Sequence, residues 1–313
     1  MAHNQAGRTL VTGALGCVGA WTIKALLDDG ETPVGYDLGR DAARLRLVLD
    51  EDELRRVTLV EGDVTDAEGL ERALDEHDIT RVVHLAALQV PFCRADPARG
   101  AHVNVFGTVV VFEAVKARRD RIPGLAYASS TAVYNASDPS PAPESGGTAP
   151  STLYGTYKLA NEGAARVFWQ DEGVASIGIR PYVVYGPGRD QGMTSGPTLA
   201  MAAAARGERF EIAYGGSAQY DFAPDVGRGF ARAARAAEDG ARVANFPGEP
   251  STMSEVVEAI ESAAPESSGS ITWKEGRLPF PESLEGRLLE QLVGPLPRTS
   301  LAEGVRRTIE RFR

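Results

Sequence analysis

Two hydrophobic periods alternate along this chain, and that alternation constrains its fold more than any other feature. Short runs rich in β-branched and apolar residues, near 8–12, 33–37, 57–61, 81–85, 124–129 and 174–180, read as strands. Between them, stretches of helical periodicity lie near 17–29, 41–49, 66–77, 97–118 and 151–172. Strand–helix alternation of this kind predicts a doubly wound parallel sheet covered by helices on both faces, because parallel strands need long crossovers that bury both sides of the sheet. One stretch breaks the rhythm: 135–150 carries Pro139, Pro141, Pro143, Pro150, Gly146 and Gly147, and is expected to be a surface loop.

Beyond about residue 181 the pattern loosens. A Gly/Pro-rich loop starts at Tyr185, followed by a helix near 197–206, a strand near 210–214, a helix near 225–239, a strand near 242–246 and a helix near 252–263. A tail punctuated by prolines closes with a helix over 300–312. At roughly 150 residues per domain, 313 residues suit one large domain or two coupled ones. We expect a unit over 1–180, completed by about 225–246, and a smaller unit drawn mainly from 181–313.

Composition removes several classes of partner. The 33 basic residues against 43 acidic ones give a net charge of −10, which repels phosphate backbones and anionic lipid, so neither nucleic acid nor a membrane surface is expected. No apolar run reaches about 18 residues, and the opening MAHNQAGRTLVTG lacks the basic-then-apolar order of a secretion signal; a cytoplasmic location is expected. Cys17, Cys93, His3, His77, His84 and His102 are not at metal-ligand spacings, so neither a disulfide framework nor a metal site is expected.

The turn between the first strand and first helix reads TGALGCVG, with Gly13, Gly16 and Gly19. Positions without side chains let backbone approach a pyrophosphate, whose charge meets amide donors and the positive helix end. Asp37 closes the second strand 18 residues after Gly19, placed to accept from a ribose diol and to repel a 2′-phosphate, which favours NAD over NADP. Arg40 on the following loop is the one argument for NADP. Asp63 in EGDVTD suits either an adenine edge or the cap of the next helix. Leu85, Ala86 and Ala87 end the fourth strand with small residues that let a cofactor pass closely.

Tyr154 and Lys158 lie four apart at the start of a helix and therefore share a face. An unperturbed phenol titrates near pH 10, too high to trade protons at neutrality; an ammonium beside it stabilises the phenolate. The pair is fit to take or return an alcohol proton. Only four of the chain's basic residues are Lys, so Lys158 stands against a strong Arg bias where a compact, titratable amine is required. Ser130, at the carboxyl edge of the fifth strand, is placed to orient the same substrate oxygen. Tyr157 is set aside because it points to another side of the helix.

In order, TGALGCVG, Asp37, GDVTD, HLAA, NVFGT from Asn104, SSTAVY, YGTYK and RPYVVYGPG resemble the extended short-chain dehydrogenase/reductase family, the NAD-dependent epimerase/dehydratases. The resemblance implies a Rossmann fold with a smaller C-terminal substrate-binding domain, and NAD as cofactor. It implies a catalytic set of Ser130, Tyr154 and Lys158. For the cofactor it implies Gly13, Gly16, Cys17, Val18, Gly19, Asp37, Asp63, Val64, Leu85, Ala86, Ala87 and Asn104, with Tyr154, Lys158, Tyr182 and Val183 near the nicotinamide. Gln89, Arg94, Thr131, Arg189, Gln191 and Thr194 are expected to border a hydroxylated or carboxylated substrate. Two departures bear on function: Val183 stands where nucleotide-sugar epimerases usually carry Asn, and Tyr220 where they usually carry Arg. Losing an Arg that grips a diphosphate forfeits about 1.5–3 kcal/mol, with Arg189, Arg277 and Arg298 as candidate replacements. The reading preferred from sequence is therefore an NAD-dependent dehydrogenase of a secondary alcohol on a small sugar-like molecule. A sugar or nucleotide-sugar epimerase with tightly held NAD is the second reading, and a homodimer is the family's expectation.

Overall fold

The computed structural model describes residues 7–146 and 149–313. His3 and Gly147 lie outside the described residues. Among the described residues twelve strands run β1 (Thr9–Thr12), β2 (Val34–Asp37), β3 (Thr58–Glu61), β4 (Arg81–His84), β5 (Gly124–Ala128), β6 (Ala175–Arg180), β7 (Val183–Tyr185), β8 (Phe210–Ile212), β9 (Ser217–Phe222), β10 (Ala241–Asn245), β11 (Pro250–Thr252) and β12 (Ile271–Trp273). Seven of them form one parallel sheet in the order β10-β6-β5-β4-β1-β2-β3. The chain builds outward from β1 to β3, then returns to the other side of β1 with β4, so a crevice opens at the carboxyl ends of β1 and β4.

Helices cover both faces: α1 (Cys17–Asp28), α2 (Ala43–Val48), α3 (Glu51–Arg55), α4 (Ala67–Glu76), α5 (Val90–Ala95), α6 (Pro97–Ala101), α7 (Gly107–Lys116), α8 (Leu153–Glu172), α9 (Gly196–Ala205), α10 (Ala223–Ala236), α11 (Met253–Ala263), α12 (Leu288–Val293) and α13 (Leu301–Phe312). One apolar core joins α1 and α10 to the sheet through Ile23, Leu26, Phe230 and Ala234. The opposite face is packed by Leu70, Leu74, Phe112, Val115 and Tyr127. Strand residues of β1, β4 and β6 are buried almost throughout, as a sheet covered on both sides demands.

The expected helix over 97–118 is three pieces. α6 passes through a wide turn at His102–Phe106 before α7 continues. Such π-turns are recurrent at functional sites. The expected helix over 41–49 stops at Val48, and α3 follows, started by the Asp50–Glu53 capping box. The segment 135–146 is loop as expected, tied down where Ala142 N donates to Ser283 O at 2.9 Å.

The remaining short strands gather around a second apolar cluster. β7 pairs with β9 in parallel and β9 with β11 in antiparallel register, while β8 pairs with β12. Tyr185, Met201, Phe222, Ile260, Val305 and Ile309 belong to that cluster. β7, β9, β11, β12, α5 and α12 were not anticipated. The missed strands are short and take their partners from distant segments, so local periodicity does not announce them. No described helix is long and apolar enough to cross a membrane.

Candidate active site

A cleft of about 710 Å³ runs along the carboxyl edge of the sheet. Its floor at one end is the glycine turn. Gly13 has φ of 69°, and a Cβ there would lie 2.7 Å from Ala86 N. A Cβ on Gly19 would lie 2.2 Å from Gly13 O, so both positions exclude a side chain for steric reasons. Helix α1 starts after Gly16 with no side-chain cap and no acid in its first turn, leaving its positive end open to the cleft. That uncapped end beside a bare turn fits a pyrophosphate.

Asp37 lines the same end. Its carboxylate accepts from Leu15 N at 2.9 Å and Gly39 N at 3.2 Å, tying the glycine turn to β2. Asp63 does not cap the next helix; it accepts from Thr65 N at 2.9 Å, and Asp66 caps α4. Asp63, Val64, Leu85, Ala86 and Ala87 all line the cleft. Arg40 is paired with Glu61 at the surface and is not among the lining residues, so the argument for NADP loses its support. Arg44, which sequence reasoning missed, donates to Leu15 O at 3.1 Å and pairs with Asp190 at 2.7 Å. It joins the glycine turn to the loop after β7, a contact between segments 146 residues apart that no local signal carries.

At the other end stand Ser130, Tyr154 and Lys158. Lys158 is 3% exposed; its Nζ lies 5.6 Å from the Tyr154 ring centroid and donates to Ala128 O at 2.6 Å. Burial pushes its ammonium down to about 8, and its neighbours Cys93 and Glu162 oppose that shift in part. The Tyr154 phenol is raised by burial; the Ser130 hydroxyl and the Arg189 charge pull it back. Arg189 thus joins Lys158 as a cation beside the phenol. Tyr157 turns away and donates to Pro97 O at 2.9 Å. Beneath the site, His84 bridges Thr12 Oγ1 at 2.8 Å and Thr108 Oγ1 at 3.0 Å, and burial pushes it down to about 3, so it is neutral.

Thr131, Gln89, Arg189, Gln191 and Thr194 line the wall facing Tyr154. The Thr131 hydroxyl donates to Pro181 O at 3.0 Å. Arg189 Nη2 reaches Thr194 Oγ1 at 3.3 Å, while its Nε and the Gln89 Oε1 are buried with no partner. Three of the expected site residues are not among those that line the cleft. Asn104 does not line the cleft; it is buried and clamps the backbone of Leu88, accepting from its N at 2.7 Å and donating to its O at 2.9 Å. Val183 is buried in β7 and faces the core, whereas its neighbours Tyr182 and Val184 line the cleft. Arg94 is exposed on α5, outside the cleft. Arg277 and Arg298 are surface residues paired with Glu282 and Glu290, so of the candidate replacements only Arg189 reaches the site. Arg99, His102 and Phe280 also line it, unforeseen because α6 with the π-turn and the tail bring them in, as does Met193 of the loop after β7.

A parallel sheet with a glycine turn, a carboxylate at the end of its second strand and a Ser–Tyr–Lys set at its crevice defines a dinucleotide-dependent oxidoreductase architecture. The sequence profile of the NAD dependent epimerase/dehydratase family matches residues 9–246, and the chain belongs to that family. It is an enzyme of the extended short-chain dehydrogenase/reductase type, and NAD is its cofactor. UDP-glucose 4-epimerase of Mycolicibacterium smegmatis is 30% identical over 98% of both chains. UDP-glucuronate 4-epimerase 1 of Arabidopsis thaliana is 35% identical over 59% of this chain, and the match spans only 44% of the plant protein. The structure of UDP-glucose 4-epimerase from Thermus thermophilus in complex with NAD superposes with a TM-score of 0.80 at 26% identity, covering 97% of this chain and 98% of that one.

Proposed function

We propose that this protein is an NAD-dependent epimerase that inverts a carbinol carbon of an anionic sugar, a nucleotide-linked uronate being the first substrate to test. The observation that carries the reading is Arg189: a guanidinium in the catalytic cleft, with a buried N–H left unpartnered and a field that reaches the Tyr154 phenol. An anionic group next to the reacting carbon is what such a cation would hold. The names of the relatives support epimerisation over the dehydrogenase that the sequence had favoured.

In this reading Gly13, Gly16, Cys17, Val18, Gly19, Asp37, Asp63, Val64, Leu85, Ala86, Ala87 and Tyr182 hold the cofactor, with Lys158 on its ribose. NAD, when bound, takes up and returns the hydride. Tyr154 accepts the carbinol proton and later gives it back; Ser130 orients the oxygen; Gln89, Arg189, Gln191 and Thr194 hold the sugar. The unit over 1–180 with 225–246 would carry the cofactor and the remainder of 181–313 the sugar. A homodimer through α7 and α8 belongs to the same reading, supported by Val167 of α8 and Phe106 just before α7, which are 44% and 47% exposed.

The test incubates the purified protein with UDP-glucuronate, UDP-glucose and free uronic acids. The products are separated by chromatography while reduced nicotinamide is followed by its near-ultraviolet absorbance. Isomer formation from the uronate without steady reduction of added NAD is the expected result. Stoichiometric NAD reduction would return the protein to the dehydrogenase reading.

A further inference from the structure

The proton-transfer scheme makes no use of a buried ion pair lying directly behind the catalytic residues. Glu162 sits one helical turn after Lys158 on α8, and its side chain is 8% exposed. Arg180, at the end of β6, donates to it through Nε at 2.7 Å and Nη2 at 2.6 Å. The same carboxylate accepts from the hydroxyl of Ser129, the residue before Ser130. Arg180 Nη1 continues to Tyr134 Oη at 2.6 Å and to the carbonyls of Glu144 and Gly146 at 3.1 Å each. One carboxylate thus joins the helix that carries Tyr154 and Lys158 to the strand end that carries Ser130.

We propose that Glu162 is a positioning residue of the reaction, fixing the separation of Ser130 from Tyr154 and holding a negative field on Lys158. A buried ion pair contributes little net stability over an apolar pair of the same shape, but it fixes geometry in three elements at once. A displacement of about 1 Å between reacting groups can cost on the order of a hundredfold in rate. The groups facing Lys158 are Tyr154 and Glu162 on its own helix, Cys93 of α5 and His84 of β4, with Arg180 of β6 and Tyr127 of β5 acting through Glu162. Burial raises the Cys93 thiol and keeps His84 neutral, and Glu162 is the carboxylate among them, paired with Arg180.

The proposal rests on the proton-transfer reading above, and Tyr154→Phe is assayed in parallel so that the two can fail separately. Glu162→Gln should lower kcat at least about tenfold with KM within about threefold. It should also move the alkaline limb of the kcat profile down by about half a pH unit, because Lys158 loses its nearby anion. Glu162→Asp should recover part of kcat and return the limb toward the wild-type position. An unmoved limb in a folded Glu162→Gln variant overturns the proposal. If that variant does not fold, Ser129→Ala decides: it removes one hydrogen bond and leaves the ion pair intact. A severalfold loss of kcat at unchanged melting temperature upholds the positioning role, and wild-type kcat refutes it. Full activity in Tyr154→Phe would instead remove the reading on which the proposal stands.

Discussion

Replacing Lys158 by methionine should stabilise the NAD-free protein while abolishing its chemistry. Burial lowers the ammonium from 10.5 to about 8, so folding opposes its charge. At about 1.4 kcal/mol per tenfold in proton affinity, that opposition costs about 3 kcal/mol wherever the amine is charged in both states. Methionine fills nearly the same volume without the charge. Losing the donor to Ala128 O and the contact with the Tyr154 ring returns on the order of 1 kcal/mol. The net gain near neutrality is about 2 kcal/mol, or about 5 °C in melting temperature for a chain of this size. A depressed pKa fixes the sign: the cost is full below about 8 and fades as pH rises from there to 10.5. Thermal unfolding of both proteins across that range should therefore show an advantage for Lys158→Met that shrinks steadily with pH. A gain that does not change with pH, or a variant less stable near neutrality, would refute the reasoning.

Three further outcomes follow from the same geometry. Gly19→Ala places a Cβ 2.2 Å from Gly13 O, so the turn and α1 must part; NAD affinity measured by calorimetry should fall at least about a hundredfold with the fold retained. Asp221, buried where it accepts from Tyr182 N at 2.6 Å, is raised to about 7 by burial, against the hydrogen bonds from Tyr182 and Gln219. Its contribution to stability is present below its unfolded value of 3.8 and is lost as pH rises through about 7, up to about 4 kcal/mol. Denaturant titrations of Asp221→Asn should lack that decline. Arg189→Ala should cut kcat/KM for a uronate about tenfold to a hundredfold more than for a neutral sugar, which loses only the field on the Tyr154 phenol, read from initial rates on the two substrates.

Much of the cofactor end was legible in the linear chain because its logic is local. A strand, a turn in which Gly13 and Gly19 have no room for a side chain, and a helix with an open positive end are contiguous in sequence. The i,i+4 spacing likewise put Tyr154 and Lys158 on one helical face before any tertiary contact was known. Local rules did not reach further. Val183 and Asn104 do not line the cleft, because which side of a strand or turn faces it is set by packing, here of β7 on β9 and of the π-turn on Leu88. Arg44 with Asp190, and Arg180 with Glu162, meet only after the sheet has brought distant segments together. Periodicity and backbone sterics act over a few residues and are written in the sequence. The charge state of Lys158 and the cation beside Tyr154 arise from burial and from fields across the assembled cleft, so only the folded chain decided them.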